Sequence, residues 1–351
     1  MEGDLVLVSG ASGYVGSWVC KKLQEQGFRV RGTVRDLENR SKVEYLYQLC
    51  SYPDYPIELV EANLLEPDGW TQAVKGCKYV MHAASPFVIQ NPRDPDELIK
   101  PAVDGTLNVL RAAAECGTVE RVVVTGSFAA CERSGRKTGT YTEDDWSVPE
   151  NQRSIYARSK TLAEKAAWDF VENLPNDKKF GLSTILPVGI LGPALSGNRG
   201  ESIDMFADIM EGKVPIIPQL TFSFVDVRDV AEAHIRCITT KEAPGKRILV
   251  NSELVFYPSL IRTVAEEMNP QGYKIPTKTM PNFVLRILSL FSSSIRTLRE
   301  IAEIPVSTER FKNVLGIQPI PIKKTLIDMA YSLVEVGRIR KTAQYQGPPD
   351  Q

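Results

Sequence analysis

Histidine is almost absent from this chain: 351 residues contain two, His82 and His234. The six cysteines, at positions 20, 50, 77, 116, 131 and 237, stand apart and form no Cys-x-x-Cys pair. Ligands so few and so scattered argue against a zinc centre. Free thiols in a reducing cytosol are the simplest account, so a cytoplasmic protein is expected. A surplus of charge is also missing, with 42 Lys and Arg against 43 Asp and Glu and a formal charge of −1. Nucleic acid and anionic membrane surfaces both select for excess positive charge, which leaves a small-molecule partner as the favoured reading.

Long apolar runs are lacking as well. The longest candidate, Phe283 to Phe291 (FVLRILSLF), is interrupted by Arg286. It falls far short of the roughly 20 residues that span a bilayer, so no membrane span is expected. It reads as a buried or interface helix, with docking on a membrane surface as the alternative. The opening Met1-Glu2-Gly3-Asp4 is acidic and runs straight into a strand, so no secretory leader is expected.

What is present is an alternation of apolar strands and helices. Hydrophobic residues make up 43% of the chain, ample for one large core or two smaller ones. Leu5 to Ser9, Arg29 to Val34, Ile57 to Val60, Tyr79 to Ala83, Arg121 to Thr125 and Leu182 to Leu186 read as strands. Helices are predicted over Tyr14 to Gln26, Pro101 to Cys116 and Ser154 to Glu172. Continuous apolar strands between helices predict an α/β fold, a doubly wound parallel sheet of Rossmann type covered on both faces. After Pro187 the alternation weakens. A dinucleotide-binding domain over 1–186 and a smaller, mostly helical substrate region over 187–351 are expected, with 224–251 returning to the core. The tail from Ala343 to Gln351 is polar and proline-rich and is expected to fray.

Ligands of such sheets bind beyond the carboxyl ends of the strands. The first such end is Ser9-Gly10-Ala11-Ser12-Gly13-Tyr14-Val15-Gly16, a G-x-x-G-x-x-G turn between a strand and a helix. Glycines let backbone amides approach a pyrophosphate, and the helix N-terminus adds its dipole. The expected cradle is Gly10, Ser12, Gly13, Tyr14, Val15 and Gly16. The second strand ends in Thr33-Val34-Arg35-Asp36. The guanidinium of Arg35 suits a 2′-phosphate, so NADP(H) is favoured and NAD(H) is the alternative, with Asp36 the complicating neighbour. Asn63 and Leu64 follow the third strand, where the Asn63 carbonyl can meet the adenine amino group or serve a plain turn. Ala83, Ala84 and Ser85 end the fourth and leave room for ribose and pyrophosphate.

Tyr156 and Lys160 lie one helical turn apart on one face. A neighbouring ammonium favours the phenolate of a tyrosine whose reference pKa is about 10. Ser127 follows the fifth strand. Together Ser127 and Tyr156 can polarise a carbonyl while a nicotinamide supplies reducing equivalents.

On these stretches the chain resembles the extended short-chain dehydrogenase/reductases, and within them the dihydroflavonol 4-reductase and yeast methylglyoxal reductase family. The matching segments are VSGASGYVGSW (8–18), GTVRD (32–36), HAASPF (82–87), RVVVTGS (121–127), SKTLAEKAAW (159–168) and DVRDVAEAH (226–234). The resemblance implies an NADP-dependent carbonyl reductase, monomer or homodimer, with Ser127, Tyr156 and Lys160 as its triad. It also implies that Arg35 and Lys42 meet the 2′-phosphate and that Pro187 and Ile190 border the nicotinamide. Phe87, Phe128, Glu132, Ile190 and Phe206 are expected to line the carbonyl substrate. This chain departs from the family in three places. It has Gly126 where a serine is usual, Asn63 where an aspartate is usual, and Glu132 where the plant flavonoid branch often has an asparagine.

Three other readings share this scaffold. An epimerase or dehydratase would hold NAD tightly and need cations for a sugar-nucleotide diphosphate, for which Arg199, Lys213, Arg228 and Arg236 are the candidates. A hydroxysteroid-type dehydrogenase would run the same chemistry in the opposite direction. A non-catalytic dinucleotide-binding protein would have no use for the tyrosine–lysine pair.

Overall fold

The computed structural model describes residues 3–49, 55–85, 94–132, 139–152, 154–292, 295, 296, 299 and 302–349. From the N-terminus, β1 (Leu5–Ser9) leads to α1 (Tyr14–Glu25), β2 (Arg29–Val34), α2 (Arg40–Gln48) and β3 (Glu58–Glu61). Then come α3 (Trp70–Val74), β4 (Tyr79–His82), α4 (Asp96–Cys116), β5 (Arg121–Thr125), α5 (Ile155–Glu172) and β6 (Gly181–Pro187). The chain continues through β7 (Gly189–Leu191), α6 (Glu201–Met210), β8 (Ile217–Pro218), β9 (Thr221–Asp226), α7 (Val227–Thr239) and β10 (Lys246–Val250). It ends with β11 (Glu253–Phe256), α8 (Tyr257–Met268), β12 (Thr279–Met280), α9 (Asn282–Phe291), α10 (Glu309–Asn313) and α11 (Ile322–Glu335).

These elements form two compact units, each built from several chain segments. The first comprises Met1–Pro187, Val230–Val250 and Thr308–Ile317. Its seven-stranded sheet has the order β10-β6-β5-β4-β1-β2-β3, and every pairing is parallel. Strand order reverses between β1 and β4, which places the ligand crevice of such a sheet at their carboxyl ends. The central strands are fully buried Val, Leu and Met, as Val6, Leu7, Val80, Met81 and Val122 illustrate. That is the composition a sheet covered on both faces requires.

Two helix starts differ from the sequence reading. Helix α4 begins at Asp96, so Pro101 lies inside it and not at its start. Asp96 and Glu97 in the first turn favour the positive end of the helix dipole, and they move the start ahead of the proline. Ser154 does not enter α5 but caps it, accepting a hydrogen bond from the Ala157 amide at 3.3 Å.

The second unit comprises Val188–Asp229, Asn251–Ser307 and Gln318–Gln351. Its regular structure is mostly helical, in α6, α8, α9 and α11, as expected. It carries a three-stranded sheet of order β11-β9-β7, antiparallel between β11 and β9, and a small β8–β12 pair. The return expected over 224–251 is thereby divided. Lys246–Val250 pairs with β6, whereas Phe224–Asp226 pairs with β7 and β11. Over its described residues the tail is anchored through Tyr345 and not frayed there. The Tyr345 hydroxyl donates to Glu335 at 2.8 Å, and its ring packs against Tyr273 and Tyr331. Among the described residues no helix is long and apolar enough to cross a membrane. Helix α9 buries Leu285 and Ser289 but leaves Phe283, Ile287, Leu290 and Phe291 exposed, so it is not a buried helix.

Candidate active site

The turn after β1 is shaped by close backbone approach. Gly10 has φ +67°, a conformation glycine adopts without strain. Its amide donates to Thr33 Oγ1 at 3.2 Å, and the Ala11 amide donates to the Thr33 carbonyl at 3.0 Å, so β2 holds the turn. A Cβ on Gly16 would stand 2.2 Å from the Gly10 carbonyl oxygen, which only glycine permits. The Ser12 carbonyl accepts from the Tyr45 hydroxyl at 3.1 Å. Gly13 is exposed, caps α1 without any side-chain acceptor, and is followed by half-buried Tyr14 and Val15. No acidic side chain enters that first turn. A glycine-walled turn feeding a helix N-terminus free of carboxylates fits a dinucleotide pyrophosphate.

The facing wall is the end of β4. A Cβ on Gly10 would lie 3.0 Å from Ala84 Cα, so the Ala83-Ala84-Ser85 segment abuts the glycine turn. Below it runs a chain of polar contacts. The Ala84 amide donates to Ser9 Oγ at 3.0 Å, and Ser9 Oγ lies 2.8 Å from His82 Nδ1. His82 Nε2 lies 3.4 Å from Thr106 Oγ1, whose proton goes to the Ala102 carbonyl at 2.8 Å. Burial, with the Lys160 ammonium nearby, pushes the His82 pKa down to about 3 and favours the neutral ring.

At the end of β2, Arg35 and Asp36 are exposed, as is Lys42 in the first turn of α2. The Asp36 carboxylate accepts from the Glu38 amide at 2.9 Å, which occupies it within its own turn. Asn63 does the same: its carbonyl accepts from the Leu65 amide at 3.2 Å, and its amide donates to Glu66 at 3.0 Å. That is the turn role, and the Asn63 carbonyl has one lone pair left for an adenine. Leu64 packs against Gly105 of α4, and its carbonyl accepts from Asn108 at 3.0 Å.

Helix α5 carries Tyr156 and Lys160. The Lys160 ammonium donates to Ser85 Oγ at 3.0 Å and lies 5.6 Å from the centre of the Tyr156 ring. It is 8% exposed, and burial lowers its pKa to about 8. Ser127 is the cap of a short turn, Phe128–Ala130, that packs against α5; its Oγ accepts from the Ala129 amide at 3.2 Å. Phe128 meets Tyr141 edge-on at 5.6 Å between ring centres. Glu132 is buried, and its carbonyl accepts from Gln152 Nε2 at 3.1 Å and from Ser147 Oγ. Pro187 is buried at the end of β6, in register with Val250 of β10. Ile190 and Phe206 belong to the second unit, where Ile190 lies on β7 and Phe206, 1% exposed, is a core side chain. Phe87 lies outside the described residues.

One group near this site was not anticipated. Arg247, on β10, pairs with Glu164 on α5 through Nε at 2.8 Å and Nη2 at 3.0 Å. Its Nη1 donates to the carbonyls of Glu143 and Asp145, both at 2.7 Å, and its guanidinium stacks 3.5 Å from the Trp146 ring centre. Thr184 of β6 donates to the same Glu164 oxygen at 2.7 Å. The pair therefore ties β6, β10 and the 143–146 segment to the helix that bears Tyr156 and Lys160. An arginine inside the apolar strand KRILV was the available signal.

Residues 6–251 match the NAD dependent epimerase/dehydratase family. This chain belongs to that family. Within the family it is similar to cinnamoyl-CoA reductase CAD2 of Medicago truncatula, 36% identical over 75% of this chain and 81% of the relative. Dihydroflavonol 4-reductase of Arabidopsis thaliana is 31% identical over 87% of this chain and 85% of its own. The structure of yeast methylglyoxal/isovaleraldehyde reductase Gre2 with NADPH matches with a TM-score of 0.78 at 28% identity, covering 95% of this chain and all of that one. As a family member of the reductase type, the chain is an NAD(P)-dependent oxidoreductase acting on carbonyl groups.

The four cations considered for a sugar-nucleotide diphosphate are each paired within the chain. Arg199 meets Asp204 at 3.2 Å, Lys213 meets Glu211 at 2.6 Å, Arg228 meets Asp226 and Asp328 at 2.7 Å, and Arg236 meets Glu232 at 2.9 Å.

Proposed function

We propose that this protein is an NADPH-dependent reductase of an aldehyde or ketone, with Ser127, Tyr156 and Lys160 as its catalytic residues. The observation that carries the reading is the placement of Lys160. Its ammonium is buried, stands beside the Tyr156 ring, and is tied to Ser85 on the wall that faces the glycine turn. A cation held there lowers the cost of a phenolate on Tyr156 and so makes its proton easier to give up. When bound, the cofactor supplies reducing equivalents to the substrate carbon. Tyr156 then delivers a proton to the carbonyl oxygen, and the Ser127 hydroxyl orients that oxygen.

The preference for NADPH rests on Arg35. It is an exposed guanidinium at the end of β2, beside a carboxylate already engaged by the Glu38 amide. The structural relative Gre2 was solved with NADPH, which supports the same choice. The test is loss of nicotinamide absorbance with NADPH and a panel of aldehydes, diketones and β-keto compounds. Tyr156→Phe is expected to lower kcat by at least about 100-fold while leaving NADPH binding nearly unchanged. No turnover across the panel by wild-type protein that binds NADPH would instead support a dinucleotide-binding role without catalysis.

A further inference from the structure

We propose that α9 docks this protein on the surface of an anionic lipid bilayer. Phe283, Ile287, Leu290 and Phe291 are 65%, 55%, 70% and 85% exposed. At 3.6 residues per turn, Phe283, Ile287 and Leu290 form one stripe, with Phe291 beside it. Leu285 and Ser289 face the opposite way and are buried, and Leu285 packs with Leu220 and Ala302. The helix is therefore fixed through its narrower face and turns its larger apolar face to water. A contiguous apolar patch of this kind marks a contact surface. Ten residues of helix reach about 15 Å, half the thickness of a bilayer core, so the helix lies in the plane of the interface.

Charge selects the occupant. Between Glu267 and Glu300 the chain has no acidic residue and five basic ones, Lys274, Lys278, Arg286, Arg296 and Arg299, although the whole chain carries a formal charge of −1. Lys274, Lys278, Arg286 and Arg296 are exposed. Arg286 borders the apolar stripe. Arg296 donates to the Ser289 carbonyl at 3.0 Å and to the Leu290 carbonyl at 3.2 Å, which fixes a cation at the C-terminal end of α9. Lys278 precedes β12, which leads through Pro281 into the N-terminal end. Cations at both ends of an apolar stripe suit lipid phosphates and carboxylates around buried acyl contacts. A second copy of the same face would set these cations against each other.

Flotation of the full chain with vesicles tests the proposal. Recovery is expected with phosphatidylcholine vesicles containing phosphatidylserine, and about tenfold less with phosphatidylcholine alone. Raising salt to about 0.5 M is expected to weaken recovery severalfold. The double variant F283S/L290S is expected to lower bound protein about tenfold while keeping the wild-type unfolding midpoint, because both side chains are already exposed. Failure to float with either vesicle, or equal flotation by the double variant, overturns the proposal. So does equal recovery with both lipids. A concentration-dependent dimer in velocity sedimentation that F283S/L290S abolishes, without lipid binding, overturns it in favour of a second copy.

Discussion

Lys160 is a cation kept out of water, and its chemistry follows from that. Burial lowers its pKa to about 8, so it is charged at neutral pH and loses the charge just above. The charged form is the one that favours the Tyr156 phenolate. The pH profile of kcat/KM for carbonyl reduction is therefore expected to fall on the alkaline side of about 8. Lys160→Arg, whose cation does not titrate in this range, should remove that limb or shift it upward in whatever activity it retains. Arg35 offers a second measurement. Arg35→Ala is expected to raise the KM for NADPH about 10- to 100-fold while changing that for NADH little, as loss of a charge-assisted contact predicts. The spacing of Tyr156 and Lys160 was legible in the sequence because a helix brings i and i+4 together. The bond from Lys160 to Ser85 was not, because 75 residues separate the partners and only the sheet joins them.

At the scale of elements, six strands of the parallel sheet were legible as apolar runs. The cases that failed are instructive. Pro101 looked like a helix start, yet Asp96 and Glu97 supply a better one five residues earlier. Phe224 to Asp226 carries the pattern of a core strand, but periodicity cannot say which sheet a strand joins. Gly126 shows how packing enters. A Cβ there would lie 2.6 Å from Leu186 Cδ2, so a serine at this position has no room unless the Leu186 side chain shifts. Gly126→Ser is expected to destabilise the fold by about 1–3 kcal/mol, read from the urea midpoint. Leu186→Val in the same chain should recover part of that loss. The Arg247–Glu164 pair carries the larger penalty. With the two side chains 7% and 1% exposed, Arg247→Met strands a buried carboxylate and is expected to cost about 3–5 kcal/mol.

At the scale of the molecule, both histidines act on stability through protons. Burial lowers His82 to about 3 and His234 to about 4, from an ordinary value of 6.5. The unfolded chain takes up protons below pH 6.5 that the folded chain refuses, so stability falls with pH across that window. Calorimetry between pH 6.5 and 5 should show a loss of roughly 2 kcal/mol for each histidine, and His82→Gln should remove about half of that slope. The low histidine count argues against a zinc centre from the sequence alone. The buried, neutral state of these two rings became visible only with Ser9, Thr106, Thr125 and Val230 placed around them.

The first unit is stitched from three stretches of chain, the last of them Thr308–Ile317. Arg310 in that stretch bonds to Asp144 at 2.7 Å and to the Arg247 carbonyl at 3.2 Å. During synthesis, the nucleotide-side unit thus stays unfinished until about nine-tenths of the chain has left the ribosome. A stop codon anywhere from 251 to 307 removes material from both units, so neither half can be harvested as a contiguous gene fragment. No single cut of the gene separates the two units, so exchanging either one between relatives means moving three segments of chain together.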